Sequence, residues 1–106
     1  MKPHRLFKRR GDDVLCEAYI GFTQAALGTR VSVPTLDGKA RLRIPAGTQT
    51  GTLFRLKRKG MPHLNGWGRG DQLVRVIIRT PTKLTRRQED LLSELAKETN
   101  EEITIG

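Results

Sequence analysis

The chain has 106 residues, of which 36% are hydrophobic, and its formal net charge is +9. This length and composition predict one domain with a thin core, which a neighbouring domain or a second subunit would help to stabilise. They exclude a bilayer-spanning helix, because no apolar run approaches ~20 residues, and the single cysteine, Cys16, excludes an intrachain disulfide and suits a reducing cytosol.

The N-terminal part is predicted to lead into a first strand. Residues 1–13 read as a lead-in segment from a preceding domain, with Leu6 and Phe7 docking onto the core. Residues 14–20, VLCEAYI, alternate in the way typical of a half-buried strand. The face of this strand that suits a core carries Val14, Cys16, Ala18 and Ile20. The opposite face is mixed, and a partner could cover it: Leu15, Glu17 and Tyr19.

A single helical turn is predicted over residues 23–28. Thr23 would cap this turn, and Gly28 would end it in a left-handed conformation. Because one turn is too short to be stable alone, we expect packing of Phe22 and Leu27 to hold it in place.

A β hairpin is predicted over residues 31–51. Apolar and polar residues alternate on both sides of Asp37-Gly38, and an Asp-Gly pair supplies the positive φ angles of a tight turn. Pro34 and Pro45 lack the amide hydrogen that a ladder uses, so we expect them to end the two strands. The hairpin indicates a small antiparallel β domain.

Two more strands are predicted on either side of a loop. Residues 52–57 should form a short strand with Phe54 and Leu56 facing inward. Residues 71–80 should form the strongest strand, and its outer face carries an apolar pair, Leu73 and Ile77.

The loop between these strands, residues 60–70, contains four glycines and one proline, which predicts little regular structure. We expect the ring of Trp67 to pack and hold the loop; contact of this ring with a partner is the alternative.

A C-terminal amphipathic helix is predicted over residues 84–99, with a tail over residues 100–106. Thr85 and Gln88 form a capping box. Apolar residues recur at three- and four-residue steps, and this stripe either packs on the chain's own sheet or meets the same helix of another copy. The residues predicted for such a dimer contact are Leu91, Leu92 and Leu95.

The positive charge has two interpretations. Twenty Lys and Arg against eleven Asp and Glu suit either a nucleic-acid partner or a surface that keeps the protein soluble. Arg41, Arg43, Arg55 and Lys57 occupy alternate strand positions, and the five aromatic residues do not interleave with basic ones as base stacking would need. The surface interpretation is favoured, and a basic nucleic-acid-binding β domain is the alternative function.

No set of residues suited to catalysis or metal binding is apparent. The serines have no nearby histidine, and His4, His63 and one cysteine form no metal-binding spacing. The chain is therefore predicted to be a binding module without a cofactor, and not an enzyme.

Five short motifs, taken together, carry a resemblance to a known family. They are Gly11-Asp12-Asp13, FTQAALG at residues 22–28, VPTLDG at residues 33–38, IPAGTQ at residues 44–49 and GRGDQ at residues 68–72. In their order, residues 7–92 resemble the second C-terminal β domain of DnaJ-type co-chaperones.

The resemblance implies a mainly β fold: a small two-sheet β sandwich with one short helical turn and a C-terminal amphipathic helix. On this basis residues 14–83 form the sandwich domain and residues 84–99 a dimerisation helix. The resemblance also implies a cytosolic homodimer that holds unfolded polypeptide clients and passes them to a DnaK-type ATPase chaperone.

Three features of the whole family are missing from this chain. It has no His-Pro-Asp motif, which in the family stimulates the ATPase, no CxxCxGxG repeats, which carry zinc in the relatives, and no first C-terminal β domain. Homodimerisation and a secondary client surface remain. The residues predicted to contact clients are Leu15, Tyr19 and Ile77, although packing against a loop or the helix explains them equally well.

Overall fold

The computed structural model describes residues 7–64 and 66–103. In chain order the elements are β1 (Lys8–Arg10), β2 (Asp13–Gly21), α1 (Phe22–Leu27), β3 (Thr29–Thr35), β4 (Gly38–Ile44), β5 (Leu53–Leu56), β6 (Gln72–Arg79) and α2 (Arg86–Glu98). Neither described helix is long and apolar enough to cross a membrane.

The strands form two sheets around one core. The larger sheet has the order β1-β2-β6-β5, and β3 pairs with β4 in the smaller one. Side chains from both sheets meet in a single buried cluster, with Ala25 of α1 at its side: Cys16, Ile20, Val33, Leu42, Ile44, Val74 and Val76. The predicted mainly β, two-sheet fold with a short helical turn and a C-terminal helix is confirmed.

The centre of the larger sheet differs from the antiparallel expectation. β2 and β6 run parallel, with Val14 opposite Gln72 and Gly21 opposite Arg79, whereas the other pairs are antiparallel. Parallel neighbours need a long crossover, and here the smaller sheet and β5 together supply it.

The lead-in segment contributes a strand. β1 pairs with β2 along Lys8 to Arg10, and Phe7 packs against the core as predicted. Leu6 lies outside the described residues. A short, wholly basic strand such as β1 is a common way of ending a sheet, because its charges discourage further strands from adding.

The hairpin forms as predicted, but its turn lies one residue before the expected Asp37-Gly38 pair: Leu36 and Asp37 are the turn residues, and of Asp37 and Gly38 only Gly38 has a positive φ. Thr35 lies opposite Gly38 across the two-residue turn, and the core positions Val33, Leu42 and Ile44 are buried. Pro34 does not end its strand as predicted, because β3 continues to Thr35. β3 lies at a sheet edge, where a missing amide hydrogen is tolerated.

A buried glutamine joins the two sheets. Gln72 of β6 is 0% exposed, and its Nε2 donates to the Pro34 carbonyl at 2.8 Å and to Cys16 Sγ at 3.3 Å. Burial raises the pKa of the Cys16 thiol. The side chain therefore provides a polar contact between sheets that otherwise pack through apolar residues.

The short helix α1 is held differently from the prediction. Its N-cap is Gly21, whose N–H donates to Gln24 Oε1 at 2.9 Å, so the predicted cap at Thr23 is wrong. Leu27 is 81% exposed and Ala25 is the buried residue, so the predicted packing of Leu27 is also wrong. Gly28 does end the helix, with φ 87°, as predicted.

Helix α2 has both of its ends capped. The capping box is confirmed, with Gln88 N–H donating to Thr85 Oγ1 at 3.1 Å and Thr85 N–H donating to Gln88 Oε1 at 2.8 Å. At the other end Asn100 is left-handed, with φ 59°, and Glu101 N–H donates to the Ala96 carbonyl at 2.9 Å, a Schellman cap. The first two residues of the predicted tail therefore belong to the helix end.

The molecule is elongated, with extents of 60 × 26 × 19 Å and a radius of gyration of 18.1 Å. A compact domain of this length would have a radius near ~13 Å. The difference arises because α2 extends from one end of the sandwich and does not lie along either sheet.

Candidate binding surface

The first half of α2 faces the end of the larger sheet across a groove of about 590 Å³. We call this the helix groove. One side is formed by Gln88, Leu91 and Leu92 of α2 with Leu84 just before the helix, and the other side includes Tyr19 and Ile20 of β2, Phe22 of α1 and Pro81 after β6. The groove combines apolar walls with wide access to solvent.

Two of the three predicted dimer residues line this groove. Leu91 and Leu92 line it, whereas Leu95 does not. Leu91 is 47% exposed and Leu95 is 49% exposed, so the chain's own sheet covers only part of the apolar stripe. Dimerisation through Leu91, Leu92 and Leu95 stays a prediction. A dimer contact of this kind would use the exposed part of the stripe.

The outer face of the larger sheet carries the predicted client residues. Leu15 lies beside Leu73 and Tyr19 beside Ile77 across the parallel β2–β6 ladder. These four residues form what we call the outer apolar surface. Sequence reasoning placed Leu73 on this face but did not include it among the client contacts. The role of all four in binding clients stays a prediction.

Tyr19 connects the outer apolar surface to the helix groove. Its side chain lines both the helix groove and a second depression beside Leu15. The ring is 52% exposed and is held from both ends: the Arg79 guanidinium lies 4.3 Å from the ring centroid, and the hydroxyl donates to Glu17 Oε1 at 2.8 Å. That hydrogen bond to the carboxylate raises the pKa of Tyr19.

A turn before β2 holds the glycine-rich loop of residues 60–70. The Asp12 carbonyl accepts Met61 N–H at 2.7 Å, and Asp12 Oδ2 lies 2.7 Å from His63 Nδ1. Asp13 Oδ1 accepts Asp71 N–H at 2.7 Å. We call these contacts the aspartate clamp. The side chain of Trp67, which was predicted to hold this loop, is 81% exposed.

The clamp continues through Asp71 to the end of β5. Its Oδ1 accepts the N–H of Arg58 at 2.9 Å and its Oδ2 accepts from Arg55 Nη1 at 2.6 Å. Arg58 is left-handed, with φ 61°, a conformation that is unfavourable for a residue with a Cβ. Two hydrogen bonds lower the pKa of Asp71: the bond from the Arg58 amide has the larger effect, and the bond from the Arg55 side chain has the smaller one.

This arrangement predicts a loss of stability in acid. A carboxylate whose pKa is lowered by folding stabilises the folded state above its ordinary pKa, near ~4, and that contribution disappears as the pH falls through the folded value. The pKa values of Asp12 and Asp37 are lowered in the same way, by His63 and Arg69 respectively. We expect the melting temperature to fall steeply below about pH 4.

Circular dichroism melts of an Asp71→Asn variant would test this. The variant should melt below the wild type near neutral pH and should lose less of its stability in acid, because the coupled proton uptake is gone. Asp90→Asn is the control, since Asp90 is exposed and its ion pair with Arg86 is 3.5 Å long. An Asp71→Asn protein with the full acid-induced loss would contradict the role of the clamp.

Within residues 7–64 and 66–103, no three His, Cys, Asp or Glu side chains are grouped so that they could hold a metal ion. The only contact between a histidine and a carboxylate in this part of the chain is the clamp pair of His63 and Asp12.

Comparison with known proteins gives a consistent result. The family model described as the DnaJ C terminal domain matches residues 1–81. A Desulfitobacterium hafniense protein named Chaperone protein DnaJ is 54% identical over all 106 residues, which make up 28% of that protein. Proteins of the same name from Parageobacillus thermoglucosidasius and Ruminiclostridium cellulolyticum are 60% and 58% identical over 89% and 92% of this chain, and 25% and 26% of their own length. The chain spans about a quarter of the length of these curated relatives.

Proposed function

This chain belongs to the DnaJ C-terminal domain family, and from that premise we propose that it serves a cytoplasmic co-chaperone as its dimerising and client-binding part. In this proposal two copies associate through α2, and each copy holds unfolded polypeptide for transfer to a DnaK-type chaperone.

One observation carries the client-binding part of the proposal: the outer apolar surface and the helix groove meet at Tyr19. Contiguous apolar surface that remains exposed on a soluble domain is typical of an interaction site. An unfolded chain presents apolar side chains along an extended backbone. The pairs Leu15–Leu73 and Tyr19–Ile77, which flank the charged pair Glu17 and Arg75, could accept such side chains at separate positions.

The dimerisation part is supported by α2. A helix that extends from its domain and keeps half of Leu91 and Leu95 exposed gains from a second copy, because burying the exposed half of each leucine contributes on the order of 1 kcal/mol. A dimer would also place two client surfaces side by side, which increases the apparent affinity for a long client.

The client surface can be tested in an aggregation assay. A denatured protein is diluted out of urea in the presence of this chain, and light scattering measures how far the chain suppresses aggregation. We expect a Tyr19→Ser, Ile77→Ser variant to need roughly fivefold more protein for the same protection, because the central pair of the outer apolar surface is lost. Its fold should be checked by circular dichroism and its mass by sedimentation, so that a change in assembly is not mistaken for loss of binding.

The matched control is Leu27→Ser, Leu64→Ser. These leucines are 81% and 98% exposed and lie outside the outer apolar surface and the helix groove. Protection by this control should equal that of the wild type. Equal protection by all three proteins would rule out the outer apolar surface as the client site.

A further inference from the structure

The outer face of the small sheet, formed by β3 and β4, carries positive and neutral side chains only. Its four cations are exposed and occupy alternate strand positions: Arg30, Lys39, Arg41 and Arg43. Arg30 lies directly opposite Arg43, and the rest of the face is completed by Ser32 opposite Arg41 and Pro34 opposite Lys39. We call this the basic face. It lies on the side of the sandwich opposite the outer apolar surface.

The basic face is not neutralised by the described part of the chain. All ion pairs within 4.0 Å there involve other cations, namely Arg9, Arg55, His63, Arg69 and Arg86. Like charges directly opposite each other destabilise a strand pair, so the pair Arg30 and Arg43 costs stability in the isolated chain.

The distribution of acidic residues explains why no internal partner is at hand. Residues 1–88 contain nineteen Lys and Arg but only five Asp and Glu, whereas residues 89–106 contain one lysine and six acidic residues. Of those five, Asp12, Asp37 and Asp71 are already bonded to His63, Arg69 and Arg55. An anion from outside could relieve the repulsion on the basic face.

A groove lies at the Arg30–Arg43 end of the basic face. It has a volume of about 390 Å³ and is lined by both arginines together with Leu27, Pro45 and Ala46. Leu27, which is 81% exposed, forms its apolar side. Two guanidinium groups beside an aliphatic wall suit a carboxylate with an aliphatic neighbour.

We propose that the basic face binds an extended acidic segment of another polypeptide, with carboxylates at alternate positions and an aliphatic side chain in the groove. Alternate residues of a strand are about 6.5 Å apart, so the row of Lys39, Arg41 and Arg43 matches the repeat of an extended peptide. Arginine binds carboxylates through two parallel hydrogen bonds, which adds geometric selectivity to the charge attraction.

Two features favour a polypeptide over a nucleic acid. In the described ranges no further strand pairs with either outer edge of the β3–β4 sheet, and a peptide can use such an edge by strand addition. Binding of single-stranded nucleic acid relies on aromatic stacking, and no aromatic residue belongs to β3 or β4 or lines the groove.

The test is a titration followed by fluorescence anisotropy, with a labelled octapeptide of alternating Glu and Val at low salt. We expect the wild type to bind this peptide and not to bind the same peptide with Gln in place of Glu. Arg30→Gln, Arg43→Gln should weaken binding at least about tenfold. Arg30→Lys, Arg43→Lys keeps the charge, and it should show a smaller loss.

The matched control is Arg86→Gln, Arg87→Gln, which removes the same charge from the exposed first turn of α2 and should bind the peptide like the wild type. The variant Arg30→Gln, Arg43→Gln should be as stable as the wild type, since it removes a like-charge pair. It should also protect denatured proteins from aggregation as well as the wild type does. Failure of this proposal is therefore distinguishable from failure of the proposed function.

Three results would overturn the proposal. If Arg30→Gln, Arg43→Gln and Arg86→Gln, Arg87→Gln weaken peptide binding equally, the binding depends on net charge and not on the basic face. Tighter binding of a short duplex DNA or of phosphatidylserine vesicles, with the same dependence on Arg30 and Arg43, would assign the basic face to a different partner. Absence of peptide binding by the wild type at low salt would remove the site.

Discussion

Replacing Gly70 by alanine is expected to lower the free energy of unfolding by at least about 4 kcal/mol, a large share of the stability of a small domain. A Cβ on Gly70 would overlap the carbonyl oxygen of Asp12 and would lie 2.8 Å from Asp13 Oδ1. Neither neighbour can move aside cheaply, because the Asp12 carbonyl accepts Met61 N–H at 2.7 Å and Asp13 Oδ1 accepts Asp71 N–H at 2.7 Å.

Urea denaturation followed by circular dichroism would measure this effect. Gly21→Ala is the matched control: Gly21 has φ −80°, and the nearest atom to an added Cβ is Gln24 Oε1 at 3.7 Å. That variant should stay within about 1 kcal/mol of the wild type. A Gly70→Ala protein with the wild-type midpoint would mean that the aspartate clamp is not a rigid part of the fold.

The variant Leu91→Glu, Leu95→Glu is expected to raise the dissociation constant of the proposed dimer at least about 100-fold, which corresponds to ~2.7 kcal/mol. Both leucines are half exposed, so the isolated chain should tolerate the change. In a dimer each carboxylate would have to lose water in an apolar contact, and that penalty is large. Sedimentation should show a wild-type dimer and a folded, monomeric variant.

Leu27→Glu, Leu64→Glu makes the same chemical change at two other exposed leucines and should leave the sedimentation coefficient of the dimer unchanged. If the α2 variant has the same mass as this control, the helix is not the contact between copies. A truncation before Leu84 gives an independent check, because it removes α2 and leaves all strands of both sheets in place.

Local patterns were sufficient to predict most of the secondary structure. The alternation of Val33, Leu42 and Ile44 with polar residues specified the buried side of the hairpin, although the turn lies at Leu36-Asp37, one residue before the predicted Asp37-Gly38 pair. The predicted capping box at Thr85 is confirmed, although α2 begins at Arg86 and not at the predicted residue 84. These features depend on neighbouring residues, and neighbours are visible in a sequence.

The features that sequence reasoning missed depend on distant residues. Asp12 and Asp13 read as a simple break before a strand, because their partners Met61 and Asp71 lie across the fold. Leu27 was expected inside because it is apolar, but a six-residue helix turns one residue, Ala25, fully inward. Periodicity placed Leu91 and Leu95 on one apolar stripe, but it left open whether the chain's own sheet covers them, and both are half exposed.

The parallel pairing of β2 with β6 has a consequence for synthesis of the chain. Val14 can pair with Gln72 only after 58 further residues have been synthesised. The β3–β4 hairpin, in contrast, can close within microseconds of leaving the ribosome. At roughly 5–20 residues per second, translation leaves β2 without its central partner for about 3–12 s. During that interval the newborn chain exposes the apolar side of β2, and so presents the kind of segment that it is proposed to hold once folded.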